Sequence, residues 1–123
     1  MSAHPIVHVE LSARDPESTA RFYSELFNWE FERDPDHDYW MFRAGEGPGG
    51  GLNKVNGMED GWGIRPGDVV VYVNSSDIDA DLKRAEELGG KVLVPKTEIP
   101  GMGWYAIFAD PTGNKVGLYT GIG

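Results

Sequence analysis

Hydrophobic and polar positions near the start of the chain predict a strand followed by a helix. Residues 6–11, Ile-Val-His-Val-Glu-Leu, place Val and Leu on one face and His8 and Glu10 on the other, as a half-buried strand does. Asp15 and Pro16 then supply an N-cap and a first helical residue. An apolar stripe, expected to face the core, follows at helical spacing at Thr19, Phe22, Tyr23 and Leu26.

The rest of the chain extends this pattern and then repeats it. Three short strands are expected at 29–34, 38–43 and 49–55, where Asp, Pro and Gly separate the apolar runs. A second strand and helix follow, with the strand at 68–74 and the helix between Asp77 and Gly89-Gly90. The stripe of this helix comprises Ile78, Leu82, Ala85 and Leu88. The last strands are expected at 91–95, 104–109 and 114–120.

The two expected helix caps reveal an internal repeat. Asp15 and Asp77 lie 62 positions apart, and the same shift places Leu26 on Leu88. Each half is a βαβββ unit that cannot bury its helix alone, which predicts an α+β fold. We expect one domain over residues 1–123, with module one at about 5–56, module two at about 67–121 and a glycine-rich connector between them.

Composition and charge narrow the choice of partners. The chain is 40% hydrophobic and 25% charged, which is typical of a globular protein. Its formal net charge of −9 argues against nucleic acid and anionic membranes as partners, because both attract clustered Lys and Arg. There is no cysteine, and the N-terminus does not have the pattern of a signal peptide. We therefore expect a cytoplasmic protein.

Several motifs along the chain match those of one superfamily. They are His8-Val9-Glu10-Leu11, Asp15-Pro16, Arg21-Phe22-Tyr23, Leu26-Phe27-Asn28-Trp29-Glu30 and Asp110-Pro111-Thr112-Gly113-Asn114. Together they resemble the vicinal-oxygen-chelate proteins, which include glyoxalases, bleomycin-resistance proteins and dioxygenases. Residues 85–90 and 95–104 resemble a bacterial group described only as glyoxalase-related. The resemblance implies two βαβββ modules in an open, eight-stranded half-barrel around a cavity, and a homodimer.

The resemblance also implies where a metal would bind. Active members hold a divalent cation with one side chain from each of the first, fourth, fifth and eighth strands. The matching positions here are His8, Val70, Gly117 and, within a residue or two, Val55, near which Asn53 is the closest side chain with an oxygen. Because Val70 and Gly117 have no donor and such a cation needs several His, Asp or Glu ligands, we expect no metal and no other cofactor. The missing side chain at Gly117 is expected to leave room for ligand or water.

His8 and Glu10 are the candidate catalytic residues. They share the strand face opposite the valines, so both are expected to point into the cavity. One interpretation is an acid–base pair or a pair of polar ligand anchors. The other is a former ligand position that is satisfied by a polar neighbour. The remaining histidines, His4 and His37, are expected at a frayed terminus and in a solvated turn.

Five further residues are candidates for ligand binding through stacking, hydroxyl or apolar contacts. They are Asn53, Tyr72, Met102, Trp104 and Tyr119. The aromatic residues fit equally well in a core or a dimer interface. Met102 and Trp104 belong to a glycine-flanked loop that is either a mobile flap or a plain hairpin.

The leading hypothesis for function is a metal-free protein that binds or sequesters a small molecule. Three alternatives stay open: a metal-dependent lyase, isomerase or dioxygenase of the glyoxalase type, a metal-independent enzyme that uses His8 and Glu10, and a dimeric scaffold. The expected partners are an unidentified small-molecule ligand and a second copy of the chain, without nucleic acid or membrane.

Overall fold

The computed structural model describes residues 3–36, 39–55 and 64–122, and the chain divides into two compact units. The first unit is His8–Val69, and the second combines Met1–Val7 with Val70–Gly123. His37, expected in a solvated turn, and residues 56–63 of the expected connector lie outside the described residues. Among the residues that are described, no helix has the length and apolar character needed to cross a membrane.

The first unit contains the first βαβββ set. Apart from the first two residues of β1, which belong to the second unit, it consists of β1 (Ile6–Ala13), α1 (Pro16–Phe27), β2 (Glu30–Asp34), β3 (Tyr39–Arg43) and β4 (Gly49–Lys54). The strands are hydrogen-bonded in the order β2-β3-β4-β1, with β1 parallel to β4 and the other pairs antiparallel. The parallel register sets His8 opposite Gly49 and Glu10 opposite Gly51.

The second unit repeats the same order of elements. They are β5 (Val69–Asn74), α2 (Ile78–Glu87), β6 (Lys91–Ile99), β7 (Gly103–Ala109) and β8 (Lys115–Thr120). The strands are hydrogen-bonded in the order β5-β8-β7-β6, and β5 is parallel to β8. Both sets therefore have the βαβββ order, and the predicted α+β class is confirmed.

The helices begin where the sequence predicted, although their caps differ. The Asp77 side chain accepts a hydrogen bond from the Ala80 backbone N–H at 3.1 Å. Asp15 has an extended N-cap conformation, but its side chain makes no capping hydrogen bond. Pro16 has no N–H and suits the first turn, where that group has no partner within the helix. After α2, Gly89 has a φ of +101°, a conformation that favours glycine at a helix end.

Each helix packs on its own strands through a small apolar core. In the first unit the buried residues are Ala13, Ala20 and Leu52, packed against Leu11, Phe31 and Trp40. In the second they are Ile78, Leu82, Ala106 and Leu118, packed against Val73, Val92 and Phe108. On β1 and β4 these positions alternate with the candidate site residues, so that the core and the site occupy opposite faces.

The apolar stripe predicted for α1 is wrong in part. Phe22 and Leu26 are each 58% exposed, and Ala20 is the buried residue of this helix. With 3.6 residues per turn, Phe22 and Leu26 lie roughly 200° and 240° around the helix from Ala20. The small side chain therefore faces the strands and the large ones face away. Leu88, expected in the core stripe of α2, is likewise 63% exposed at the C-cap.

The N-terminal segment is held by the second unit, so the expected fraying at His4 is wrong. The Asn74 backbone N–H donates to the Pro5 carbonyl at 2.9 Å. The His4 Nε2 atom lies 3.1 Å from Asp81 Oδ2, which also accepts a 2.6 Å hydrogen bond from the buried Ser75 hydroxyl. These contacts attach the segment to α2 and to the end of β5.

The turn between β7 and β8 is organised by one carboxylate. Asp110 Oδ1 accepts backbone N–H groups from Thr112, Gly113 and Asn114 at 2.9–3.0 Å. The Asn114 side-chain amide donates to Oδ2 at 2.9 Å. These hydrogen bonds, led by that of the Asn114 side chain, lower the pKa of Asp110 because they favour its charged form.

Candidate functional site

Three of the predicted site residues lie together on one face of the first unit. His8 and Glu10 project from β1, and Asn53 projects from β4, where its cross-strand partner is Ser12. Cross-strand partners share a face of a sheet, and alternate residues return to that face. Asn53 is therefore on the same side as His8 and Glu10, as the observed hydrogen bonds require.

Tyr39, the first residue of β3, joins these groups. Its hydroxyl donates to Glu10 Oε2 at 2.6 Å and lies 2.8 Å from His8 Nε2. The Asn53 amide donates to the other carboxylate oxygen, Glu10 Oε1, at 2.5 Å. We call these four residues the polar cluster. The side chains of His8 and Glu10 are 28% and 12% exposed, so water competes only partly for these hydrogen bonds.

The imidazole and the carboxylate of the polar cluster are also close to each other. His8 Nε2 lies 3.6 Å from Glu10 Oε2, within the range of an ion pair when the imidazole is protonated. The His8 and Tyr39 rings are stacked at an interplanar angle of 26°, with centroids 6.3 Å apart. The cluster therefore combines an imidazole, a phenol and a carboxylate, three groups that take part in acid–base chemistry in proteins.

Gly51 makes room for the Tyr39 ring. A Cβ at this position would fall on the Tyr39 hydroxyl and Cζ, and even Cε2 would be only 2.7 Å away. Real Cβ atoms essentially never approach another heavy atom within 3.0 Å. The ring thus lies directly over the β4 backbone, and the absence of a side chain at Gly51 is a condition for the cluster.

Sequence patterns alone did not point to Tyr39 or Gly51 as site residues. Aromatic residues occur on both faces of β3, so alternation alone did not show which ring faces the site. The available signal was the glycine run at the start of β4, because glycines inside a strand often mark the close approach of another group. Tyr39 approaches Gly51 in this way, and Phe42 approaches Gly50.

A cavity of about 460 Å³ lies in the first unit, at the start of β4. Its lining includes Asn28, Glu30, Arg43 and Gly49, and Gly49 is the cross-strand partner of His8. Arg43 and Glu30 form an ion pair of 3.5 Å, with side chains 78% and 77% exposed. An ion pair this exposed contributes only about 0–1 kcal/mol, so a ligand group can displace it at little cost.

The other four predicted ligand-binding residues lie in the second unit. The Tyr119 hydroxyl donates to the Met102 backbone carbonyl at 2.6 Å, which ties β8 to the turn before β7. Trp104 is 37% exposed, with the Lys96 ammonium 4.9 Å from its ring centroid. Tyr72 is buried, with 8% of its surface exposed. The roles of these four residues in ligand binding stay predictions.

The open space predicted at Gly117 is not present. Gly117 is buried on β8, and its cross-strand partner on β5 is Tyr72. A Cβ at Gly117 would fall on the Tyr72 ring, with Cγ only 2.7 Å away. The aromatic ring of the neighbouring strand fills the volume that a side chain at Gly117 would need.

The residues present do not fit the divalent metal centre that the family resemblance implies. Val70 is a buried apolar residue, and Tyr72 covers Gly117. Asn53 presents an amide N–H group to Glu10, whereas a cation would need its oxygen. Across the described ranges, no group of three His, Cys, Asp or Glu side chains is placed to hold a metal ion. The chemistry of the polar cluster is therefore considered below without a metal.

Comparison with known families identifies the class of protein. Residues 5–118 match the family model for the Glyoxalase/Bleomycin resistance protein/Dioxygenase superfamily. The match covers most of the chain, and the chain belongs to this superfamily. The resemblance found in the sequence motifs is thereby confirmed.

The relatives with curated descriptions are longer proteins. The anthracycline biosynthesis protein DnrV of Streptomyces peucetius is 29% identical over 123 residues, covering 85% of this chain and 42% of its own length. The putative glyoxylase CFP32 of Mycobacterium tuberculosis (strain CDC 1551 / Oshkosh) is 27% identical over 131 residues, covering 90% and 43%. This chain thus spans less than half the length of these relatives.

Solved structures share the fold. A glyoxalase/bleomycin resistance protein/dioxygenase superfamily member from Vibrio splendidus 12B01 aligns with a TM-score of 0.65 and 16% identity, covering 96% of this chain and 99% of that one. Methylmalonyl-CoA epimerase from Mycobacterium tuberculosis aligns with a TM-score of 0.68 and 14% identity, covering 96% and 88%. At such low identity these likenesses concern the fold alone.

Proposed function

We propose that this protein binds a small organic molecule over the polar cluster, and that it does so without a divalent metal. The observation that carries the proposal is the half-buried network in which Tyr39 joins His8 to Glu10. Groups that are already fixed by hydrogen bonds orient a ligand at a lower entropic cost than mobile ones. Membership of a superfamily that includes bleomycin-resistance proteins is consistent with a binding function.

The neighbouring cavity supplies the space for the ligand. Its volume of about 460 Å³ is within the usual range for small-molecule pockets, about 300–1,000 Å³. Gly49 lines the cavity and pairs with His8, and paired strands lie about 5 Å apart. A ligand in the cavity therefore needs to extend across only one strand to reach the imidazole.

The first ligand class to test is a planar polyketide. Its support is the likeness to two proteins named for anthracycline biosynthesis, DauV and DnrV. A flat polycyclic ligand stacks on aromatic rings, while its hydroxyl and carbonyl edges form hydrogen bonds. The aromatic and apolar candidates of the second unit stay predictions for contacts of this kind; they are Tyr72, Met102, Trp104 and Tyr119.

Doxorubicin, an anthracycline with its own fluorescence, provides a direct test. Titration into EDTA-treated protein should show saturable binding. The affinity should fall roughly two- to tenfold in both His8→Ala and Tyr39→Phe, since one typical hydrogen bond contributes about 0.5–1.5 kcal/mol. The control variant Arg84→Gln, which changes an exposed residue of α2, should bind doxorubicin with the affinity of the parent. Equal affinity of His8→Ala and the parent would exclude the polar cluster as the site, and no binding by the parent would exclude the polyketide class.

A second candidate function is metal-independent proton transfer. The observation that favours it is the series of hydrogen bonds from His8 through the Tyr39 hydroxyl to Glu10, at 2.8 and 2.6 Å. These distances are within reach for general acid–base catalysis. The likeness to the putative glyoxylase CFP32 suggests the methylglyoxal–glutathione hemithioacetal as a probe.

Solvent deuterium distinguishes the two candidate functions. In D₂O with EDTA, a binding protein should incorporate no deuterium into the hemithioacetal carbon beyond the buffer rate, as NMR would show. Incorporation that is abolished by His8→Ala would instead identify a metal-independent enzyme related to the glyoxalase-type lyases and isomerases.

We also propose that the protein is a cytoplasmic homodimer. The cytoplasmic assignment is supported by the absence of cysteine and by the acidic composition of the chain. The dimer is supported by the superfamily resemblance and by the edge strands β2 and β6, each hydrogen-bonded on one side within its own unit.

A further inference from the structure

The hydrogen atoms of the polar cluster follow from its donors and acceptors. A tyrosine hydroxyl has a single proton, and that of Tyr39 points to the Glu10 carboxylate, which accepts when ionised. The Tyr39 oxygen must therefore act as the acceptor toward His8 Nε2, 2.8 Å away. This requires His8 Nε2 to carry a proton. The second carboxylate oxygen of Glu10 accepts from the Asn53 amide.

This arrangement opposes metal binding, although the donor atoms are suitably spaced for it. Two ligand atoms at about 2.1 Å from a tetrahedral cation lie roughly 3.4 Å apart, and His8 Nε2 and Glu10 Oε2 are 3.6 Å apart. A ring nitrogen that donates a hydrogen bond, however, has no lone pair to offer a metal. Tyr39 thus engages both donor atoms in hydrogen bonds.

We propose that Tyr39 is a positioning residue that holds His8 in its Nε2–H form and thereby keeps divalent cations out of the polar cluster. The phenol converts a superfamily metal-ligand position into a fixed hydrogen-bonding group for an organic ligand. Gly51 supports this assignment, because the β4 backbone leaves space that the Tyr39 ring fills. The proposal concerns protonation and metal selectivity, so it holds or fails independently of doxorubicin binding.

The protonation of His8 can be measured by ¹⁵N NMR at mildly alkaline pH. The His8 signals are assigned by their loss in His8→Ala. In the parent, Nε2 should carry a proton, and in Tyr39→Phe that proton should exchange with solvent roughly two- to tenfold faster, because its hydrogen bond to the Tyr39 oxygen is lost. An unprotonated Nε2 in the parent, or unchanged exchange in Tyr39→Phe, would overturn the proposal.

Metal selectivity is tested by calorimetric titration of EDTA-treated, dialysed protein with ZnCl₂, since Zn²⁺ takes the tetrahedral geometry considered above. Removing the whole side chain in Tyr39→Ala should raise Zn²⁺ affinity at least about tenfold over the parent, since His8 Nε2 and Glu10 Oε2 are then released from their hydrogen bonds to Tyr39. The double variant Tyr39→Ala/His8→Ala should lose this gain, which separates the cluster from the other histidines. Tyr23→Ala, a matched change on α1, should leave the affinity at the parent level.

Either of two titration results would overturn the proposal. If folded Tyr39→Ala binds Zn²⁺ no more tightly than the parent, or if the gain persists in the double variant, Tyr39 does not exclude cations from the polar cluster. If Tyr39→Ala does not fold, the NMR comparison with Tyr39→Phe decides the proposal alone.

Discussion

The substitution Gly51→Ala tests the packing on which the polar cluster depends. The new methyl group would occupy the position of the Tyr39 hydroxyl and Cζ, so the ring would have to leave its place over β4. The backbone of Gly51 is an ordinary strand conformation, which alanine adopts without strain. The cost should therefore arise from displacing Tyr39 and not from the backbone.

The size of the effect can be estimated from the hydrogen bonds that would be lost. Tyr39 donates to a carboxylate that is 12% exposed, a bond worth about 1.5–3 kcal/mol, and accepts from His8, a bond worth about 0.5–1.5 kcal/mol. Replacing a strand glycine returns about 0.5–1 kcal/mol of backbone entropy. The net loss in the free energy of unfolding should be roughly 1–4 kcal/mol, with the middle of the range near 2.5 kcal/mol.

Urea unfolding of the parent and of matched variants measures this loss. Gly121→Ala is a suitable control, because its Cβ would meet only Tyr119 atoms at 3.6 and 3.9 Å, which are ordinary contacts. That control should change stability by less than about 0.5 kcal/mol. In a Tyr39→Ala background, Gly51→Ala should also cost little, because its three nearest neighbours are all Tyr39 atoms.

Two results would refute the reasoning. A Gly51→Ala protein as stable as the parent would mean that Tyr39 is not packed over β4. An equal loss with and without the Tyr39 side chain would mean that some other contact of Gly51 is responsible.

Four further predictions concern metal content, assembly, pH dependence and the region of Gly117. Protein purified without added metal should carry well under one equivalent of Zn, Ni, Mn, Fe or Co by elemental analysis, and stoichiometric metal that is lost on His8→Ala would contradict the proposed function. Light scattering at micromolar concentration should give about twice the chain mass of 13.5 kDa, whereas a monomer throughout would argue against a dimer. The Asn114 side chain and backbone N–H groups lower the pKa of Asp110 in the folded protein. The ionised carboxylate should therefore stabilise the fold at pH values above its pKa in the unfolded chain, and this stabilisation should be lost as the pH falls through its pKa in the folded protein. The stability gap between the parent and Asp110→Asn in urea should therefore narrow in acid, and a gap independent of pH would be inconsistent with this. Gly117→Glu should destabilise the protein markedly because it displaces the Tyr72 ring, and adding Tyr72→Ala should recover part of the lost stability. Unchanged stability of Gly117→Glu would show that the Tyr72 ring can move aside without cost.

Much of the fold could be predicted from local patterns. Both βαβββ sets were predicted from the alternation in residues 6–11 and from the helix caps at Asp15 and Asp77, because these signals depend on neighbours in sequence. The repeat between the two caps then extended the prediction from one set to the other. The orientation of α1 could not be predicted in this way. Phe22 and Leu26 have the spacing of a core stripe, yet the close approach of Ala20 to the strands turns them outward.

The candidate site, like the fold, could be predicted from the sequence only in part. The alternation of side chains along a strand was enough to place His8 and Glu10 on one face of β1. Their partner Tyr39 depends on how β3 and β4 align beside β1, and the ring over Gly117 depends on the alignment of β5 with β8. Such registers join residues distant in sequence, and a shift of one residue would send every side chain to the other face. The sequence by itself thus determined that His8 and Glu10 share a strand face, and only the tertiary structure decided that a phenol and a glycine complete the polar cluster.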